Sequence, residues 1–536
     1  MVIDHRVVLG RISLVIACFL FWSVVPGEVA AEEIDHNAVV DIRDEGFSRS
    51  QVMDLARIMT DVYGPRYANS PSYDAAAKWA KDTLEEFGLA NVKLEAWGEF
   101  GYGWENTYTS IHMTAPQYQP VIGYPVPGSR GTDGVVAGTV VAIDTSKIFK
   151  AEDLEPWRGK LGAKIVLVSP PRELKPNFQP QAVRLSDEEL REMARLEIDR
   201  LDTGPSSYGK ADAGDDSSPE PLGREQIEEF LAGEGVQVLV ETGSSNVGPM
   251  DKGVVHVSGD GTMAFDEPKR MPRIVVAPEH YNRMMRLLNH AHEVEMEIEI
   301  RNDFRTDDPL DYNVLAEIPG SDLADEIVLI GAHFDSEPAG TGATDNASGS
   351  AIVMEAMRIL AAIDAKPRRT IRVALWGAEE VGLLGSRGYV QKHLGDRKTG
   401  TVTAAHEDFS VYFNVDWYGR FRGIFLQGND AARPIFEAWM APFEDVGMSW
   451  IVPGNTGGTD HMAFLEVGLP GFQFIQDDLE FFNVTFHTNM DVYDRLIAED
   501  LKQASVILAT FAYHAAMRDE MFPWADGLHN GRRWHK

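Results

Sequence analysis

The chain has 536 residues, 44% hydrophobic and 10% aromatic, a composition that folds and a length at which one core usually gives way to two domains. Asp and Glu outnumber Lys and Arg by 83 to 49, for a net charge of -34. That balance argues against nucleic acid or an anionic membrane as a partner, since both need a basic face.

Arg6 and Arg11 precede an apolar run over residues 12–25, and Val29, Ala30 and Ala31 offer small residues for cleavage. This layout reads as a secretory signal over residues 1–31, too short for a comfortable membrane span. It predicts an exported protein, periplasmic or extracellular, with no stable membrane span after cleavage. The single cysteine, Cys18, lies inside that signal, so the mature chain would have no disulfide and no thiol to act as nucleophile or ligand.

Residues 49–64 read as a capped amphipathic helix ending at Gly64 and Pro65. Residues 72–87 read as a second helix, opened by Pro71 and stopped by Gly88. Alternation over 91–97 predicts a strand. Short β-rich runs at 135–143, 163–168, 235–240 and 273–277, with a returning strand at 293–300, predict a small β-rich domain inserted over residues 117–300. Within it the polar stretch 201–223 buries too little apolar surface to be anything but an exposed loop.

From residue 313 strand, turn and helix alternate. Strands are expected at 327–330, 370–376 and 411–415, and helices at 347–362, 386–393, 432–446 and 496–517. Such alternation predicts an α/β fold, a mostly parallel central sheet with helices on both faces. Residues 32–116 and 301–520 would build this discontinuous domain, leaving a C-terminal tail at 521–536.

Charged residues stand where these strands end, the place where ligands collect in open parallel sheets. His333 is followed by Asp335, and a metal-binding histidine needs its second ring nitrogen oriented, usually by a carboxylate. Asp345 lies on a Gly/Ser-rich turn running into a helix, where a carboxylate can offer one oxygen to each of two cations. Glu379 and Glu380 are adjacent at a strand end, and they repel unless a cation lies between them. Asp416 closes the 411–415 strand, and His487 is followed by Asp491, read as its supporting carboxylate. Taken singly, these motifs also fit a helix cap or an acidic turn. Together, imidazoles and carboxylates without thiolate suit a pair of zinc ions that activate water.

The elements His-x-Asp, Asp-Asn-x-Ser-Gly, Glu-Glu-x-Gly-Leu-x-Gly-Ser, Asn-x-Asp and His-Thr-x-x-Asp occur here in one order. In this the chain resembles the di-zinc exopeptidases of metallopeptidase family twenty-eight, which includes bacterial leucyl aminopeptidases and the plasma glutamate carboxypeptidase group. The likeness is strongest over residues 313–515, extends in layout to 45–115, and likens the 117–300 insert to a protease-associated domain. It implies two zinc ions per chain, one on His333 and Asp416, the other on Glu380 and His487, with Asp345 bridging. It also implies catalytic roles for Glu379, as general base and acid, and for Asp335, which supports His333. Asp460 and His461 match a loop near the family's substrate site and are candidates to touch substrate or brace that loop.

The resemblance implies an exported exopeptidase acting on peptide substrates. An aminopeptidase is favoured because no Arg or Lys in the matched motifs offers a carboxylate clamp. The alternatives are a carboxypeptidase or dipeptidase of the same family, a single-zinc glutaminyl cyclase, and a non-catalytic receptor-like binding protein. The oligomeric state is left open, a homodimer among the options.

Overall fold

The structure, a computed structural model, describes residues 32–195, 221–243, 253–259, 263–264 and 270–524. The expected signal at 1–31, most of the 201–223 loop and residues 525–536 of the tail lie outside the described residues. Among the described residues no helix is long and apolar enough to cross a membrane.

Eight strands form the first sheet, in the order Ala90–Glu99, Leu310–Ile318, Arg369–Trp376, Leu323–His333, Phe409–Asn414, Gly471–Gln476, Phe421–Phe425 and Trp450–Val452. The four strands from Arg369–Trp376 to Gly471–Gln476 run parallel. Their apolar side chains are covered on both faces. Ile352, Met357 and Leu508 pack on one side, and Tyr389 and Phe464 on the other. This is the mixed α/β architecture that the strand–helix alternation predicts. Register sets the function, because His333 pairs with Trp376 and Gly331 with Asn414. The chain therefore leaves three neighbouring strands on the same edge, within a few residues of His333, Glu379 and Asp416.

Local chemistry explains most element ends. The helix Pro71–Glu86 starts where the Ser70 side chain accepts the Tyr73 N–H, with Pro71 in the first turn. The helix expected over 49–64 begins at Val52 and widens into π-type turns over Ile58–Tyr63. The one expected over 432–446 is broken, because Pro442 has no N–H to offer. The α-helix Arg433–Met440 gives way to 3-10 turns over Ala441–Val446. The helix His36–Ser48, capped by Asp35, and the strands Phe421–Phe425, Trp450–Val452 and Gly471–Gln476 were not anticipated. The strands are runs of three to six residues, too short for a periodicity to show.

After Glu99 the chain enters a second eight-stranded sheet and returns to the first at Leu310. Its order is Gln119–Pro120, Gly103–Ala115, Glu295–Arg305, Val136–Ala142, Ile165–Leu167, Val238–Thr242, Arg273–Val276 and Gly123–Pro125. The second sheet is wider than the expected 117–300 segment. Gly103–Ala115 pairs antiparallel with Glu295–Arg305 along its whole length and so belongs here, not with the first sheet. The region is also richer in helix than its sequence implied. Pro278–Asn289 buries Tyr281 and Met284 against this sheet, and Arg224–Gly233 buries Ile227 and Leu231.

Candidate metal centre

Two imidazoles and a bridging carboxylate form the middle of the site. His333, at the end of its strand and 1% exposed, points Nε2 at Asp345 Oδ1 (3.1 Å) and Asp416 Oδ1 (3.4 Å). His487 points Nε2 at Glu380 Oε2 (2.8 Å) and at Asp345 Oδ2 (3.5 Å). Asp345 thus offers one oxygen to each histidine, and each histidine has a second carboxylate of its own. The ion pairs that these carboxylates make among the described residues are to His333 and His487. Glu380 Oε1 is buried with no hydrogen-bond partner. Carboxylate oxygens are seldom left this way unless something positive faces them.

The backbone around the centre is held by further carboxylates. Asp335 accepts the N–H groups of Glu379 (3.1 Å) and Glu380 (3.2 Å), fixing the turn that carries both. Its backbone carbonyl accepts His333 Nδ1 at 3.1 Å, which leaves Nε2 to face the centre. Asn346, joined to Asp345 by a cis peptide bond, donates from its amide to the Val415 carbonyl and accepts the Gly349 N–H. The Asp345 turn is thereby tied to the residue before Asp416.

Asp491 differs from its expected role. It accepts the N–H groups of Thr344 (2.6 Å) and Asp345 (3.1 Å), and the partner of His487 Nδ1 is instead Ser258 Oγ at 2.8 Å. The carboxylate went to the turn because two adjacent buried N–H groups there have no other acceptor. Burial pushes the Asp491 carboxyl up to about 7.

Glu337 was missed by the sequence reading. It is 4% exposed, and its ligand oxygen lies in a cluster with those of Glu380 and His487. The Gly259 N–H donates to its carboxylate at 2.8 and 3.0 Å. A second acidic residue in the alternating run His333, Asp335, Glu337 was the available signal.

Charge crowding perturbs the whole group. Burial drives the Glu379 carboxyl well above the usual range, against the pull of His333, and does the same to Glu380 with Asp345 adding to it. Burial works against protonation of His333. The Asp416 and Glu379 carboxylates outweigh it and hold that imidazole well above its ordinary value. Asp416 stays low despite burial because His333 faces it.

Asp460 and His461 stand behind the site. His461 Nε2 lies 3.0 Å from the Thr456 carbonyl and 3.1 Å from Gln427 Nε2, which braces the 456–460 loop. Burial lowers the His461 imidazole to about 4 and raises the Asp460 carboxyl to about 7. In front, a cleft of about 620 Å³ is lined by Asp345, Glu379, Glu380, Asp416 and His487 together with aromatic side chains. Trp417, Phe481, Phe482 and Phe486 form its apolar wall. Arg387, also on the wall, is engaged by Glu466 at 2.7 Å.

Residues 313–512 match Peptidase family M28. Over 500 residues, 92% of each chain, the protein is 23% identical to carboxypeptidase Q of Rattus norvegicus. Over 202 residues, 36% of this chain and 42% of the other, it is 30% identical to aminopeptidase YwaD of Bacillus subtilis strain 168. The crystal structure of a peptidase M28 precursor from Shewanella amazonensis SB2B superposes with a TM-score of 0.62 at 25% identity. That likeness covers 91% of this chain and 98% of the other.

Proposed function

The chain carries a metallopeptidase domain of family M28 across residues 313–512, and from that footing we propose that it is an exported two-zinc aminopeptidase. One observation carries the two-metal part. Asp345 directs Oδ1 to His333 and Oδ2 to His487, and each imidazole has one further carboxylate, Asp416 or Glu380. Two N/O-ligand sets sharing a carboxylate are what a pair of zinc ions needs. His333 and Asp416 would hold one ion, Glu380 and His487 the other, with Asp345 between them. The unpartnered Glu380 Oε1 fits this assignment. Bound there, zinc supplies Lewis acidity to the scissile carbonyl and lowers the pKa of water toward neutrality.

The chain's own groups do the rest. Glu379 lines the cleft, and its buried carboxylate has a raised proton affinity. It takes the proton of the attacking water and returns it to the departing amine. Asp335 keeps Glu379 and Glu380 in register through their N–H groups. The aromatic wall excludes water and receives an apolar side chain.

Polarity supports the aminopeptidase reading. The groups bordering the centre are acidic and suit an α-ammonium, while Arg387 on the cleft wall is already paired with Glu466. Carboxypeptidase or dipeptidase activity is the second reading, favoured by the 92% coverage of carboxypeptidase Q. Residues 103–305 would form the protease-associated-like module. The test is hydrolysis of free and N-acetylated dipeptides and aminoacyl amides, with and without chelator. Chelator-sensitive cleavage that requires the free amine is expected. Cleavage of blocked substrates bearing a free carboxylate would move the assignment to the carboxypeptidase side.

A further inference from the structure

His487 takes the partner of its second nitrogen from a distant part of the chain. Its Nε2 faces Glu380 and Asp345, so the proton sits on Nδ1, which needs an acceptor. His333 finds its acceptor two residues away, in the Asp335 carbonyl. The loop of His487 supplies none, because Asp491 is committed to Thr344 and Asp345. The acceptor is Ser258 Oγ at 2.8 Å, 229 residues away in sequence, on the far side of the second sheet's excursion.

The segment around Ser258 grips the His487 loop at several points. Val257 N–H donates to the His487 carbonyl (3.0 Å), and Asn489 N–H to the Val255 carbonyl (3.1 Å). Val255 N–H donates to Asn489 Oδ1 (2.7 Å), and the His256 ring stacks on His487 with centroids 5.6 Å apart. One residue beyond Ser258, the Gly259 N–H holds Glu337 against the same side of the centre. Segment 253–259 therefore sets both the rotation of the His487 ring and the place of a neighbouring carboxylate.

We propose that Ser258 is a positioning residue for the metal at His487, so that the region outside the M28-matched residues 313–512 tunes zinc affinity at one of the two positions. This rests on the two-zinc reading above. Removal of such a supporting partner typically weakens metal binding ~10–100-fold.

The test is zinc titration of the full-length, metal-stripped protein against a chromophoric chelator, for wild type, Ser258→Ala and Ser258→Thr. Wild type should take up two zinc ions. Ser258→Ala should weaken one ion ~10–100-fold and leave the other unchanged, with the apo protein melting as wild type does. Ser258→Thr, which keeps the hydroxyl, should restore binding. Cobalt(II) in place of zinc should show the altered visible spectrum at one site only. Unchanged affinity for both ions in Ser258→Ala would overturn the inference, as would a threonine variant as weak as alanine. If the alanine variant does not fold, Ser258→Val against Ser258→Thr gives the same comparison at constant shape. Failure of wild type to bind two ions would instead remove the two-zinc reading itself.

Discussion

Arg66 gives the most direct test of how the centre is held. Its side chain is fully buried and makes five hydrogen bonds, all to backbone carbonyls. Nε donates to Phe334, Nη1 to Met59, Gly64 and Thr341, and Nη2 to Gly342, over 2.8 to 3.3 Å. The guanidinium joins the end of the Leu323–His333 strand to the turn before Asp345. Burial lowers its pKa to about 10, with Asp491 and Asp335 opposing that shift, so it stays charged at neutral pH. Arg66→Met fills similar volume and removes every donor. The bonds to Phe334, Met59 and Gly342 lie in buried surroundings, where each lost hydrogen bond costs about 1–1.5 kcal/mol, and the Gly342 carbonyl keeps the Ala347 N–H. Those to Gly64 and Thr341 are nearer solvent and can be replaced by water. The expected loss is about 3–5 kcal/mol, a large part of a typical stability of about 5–15 kcal/mol. Urea unfolding of the metal-free protein measures it, with Arg66→Lys expected between wild type and Arg66→Met. A shift under about 1 kcal/mol would show that the three buried carbonyls do not depend on Arg66.

Asp335→Asn leaves one acceptor for two N–H groups and turns its amide toward the other. The cost of about 1.5–3 kcal/mol should lower kcat/KM ~10–100-fold, and a value within threefold of wild type would refute the bracing role. Glu379→Gln should lower kcat by at least ~100-fold while zinc uptake is retained, and near-normal turnover would remove it as the base. Burial raises the Glu95 carboxyl, but bonds from Lys93 and His393 bring it down to about 2 from 4.5. Its contribution to stability is therefore complete above pH 4.5 and lost as pH falls through about 2. Glu95→Gln should lower Tm at pH 6 and leave it unchanged near pH 2, and an equal change at both would contradict this assignment.

What could be read from the sequence followed from how local the signal was. A buried apolar run that ends in a charged residue shows itself, and so His333, Glu380 and Asp416 were legible at strand ends. His487 was legible through its spacing to Asp491, yet the purpose of that spacing was misread. The carboxylate serves the 344–345 backbone, a choice made by which buried N–H groups lack acceptors in three dimensions. Ser258 carried no signal, because a serine in an irregular segment has no pattern and its partner is 229 residues away. The strand Gly471–Gln476 sits inside the first sheet, but six residues with three large apolar side chains are too few to tell a strand from a helix.

The pairing of Gly103–Ala115 with Glu295–Arg305 bears on how such a chain can change over evolutionary time. Gly103 faces Arg305, and Glu99 faces Leu310 in the sheet next door, so the exit and re-entry points are neighbours. Recombination between residues 99 and 103 and between 305 and 310 would exchange the entire second sheet without cutting a strand of the first. Whatever arrived in its place would have to supply a new acceptor for the His487 ring. Module exchange in this architecture would therefore act on metal retention before it acted on the fold.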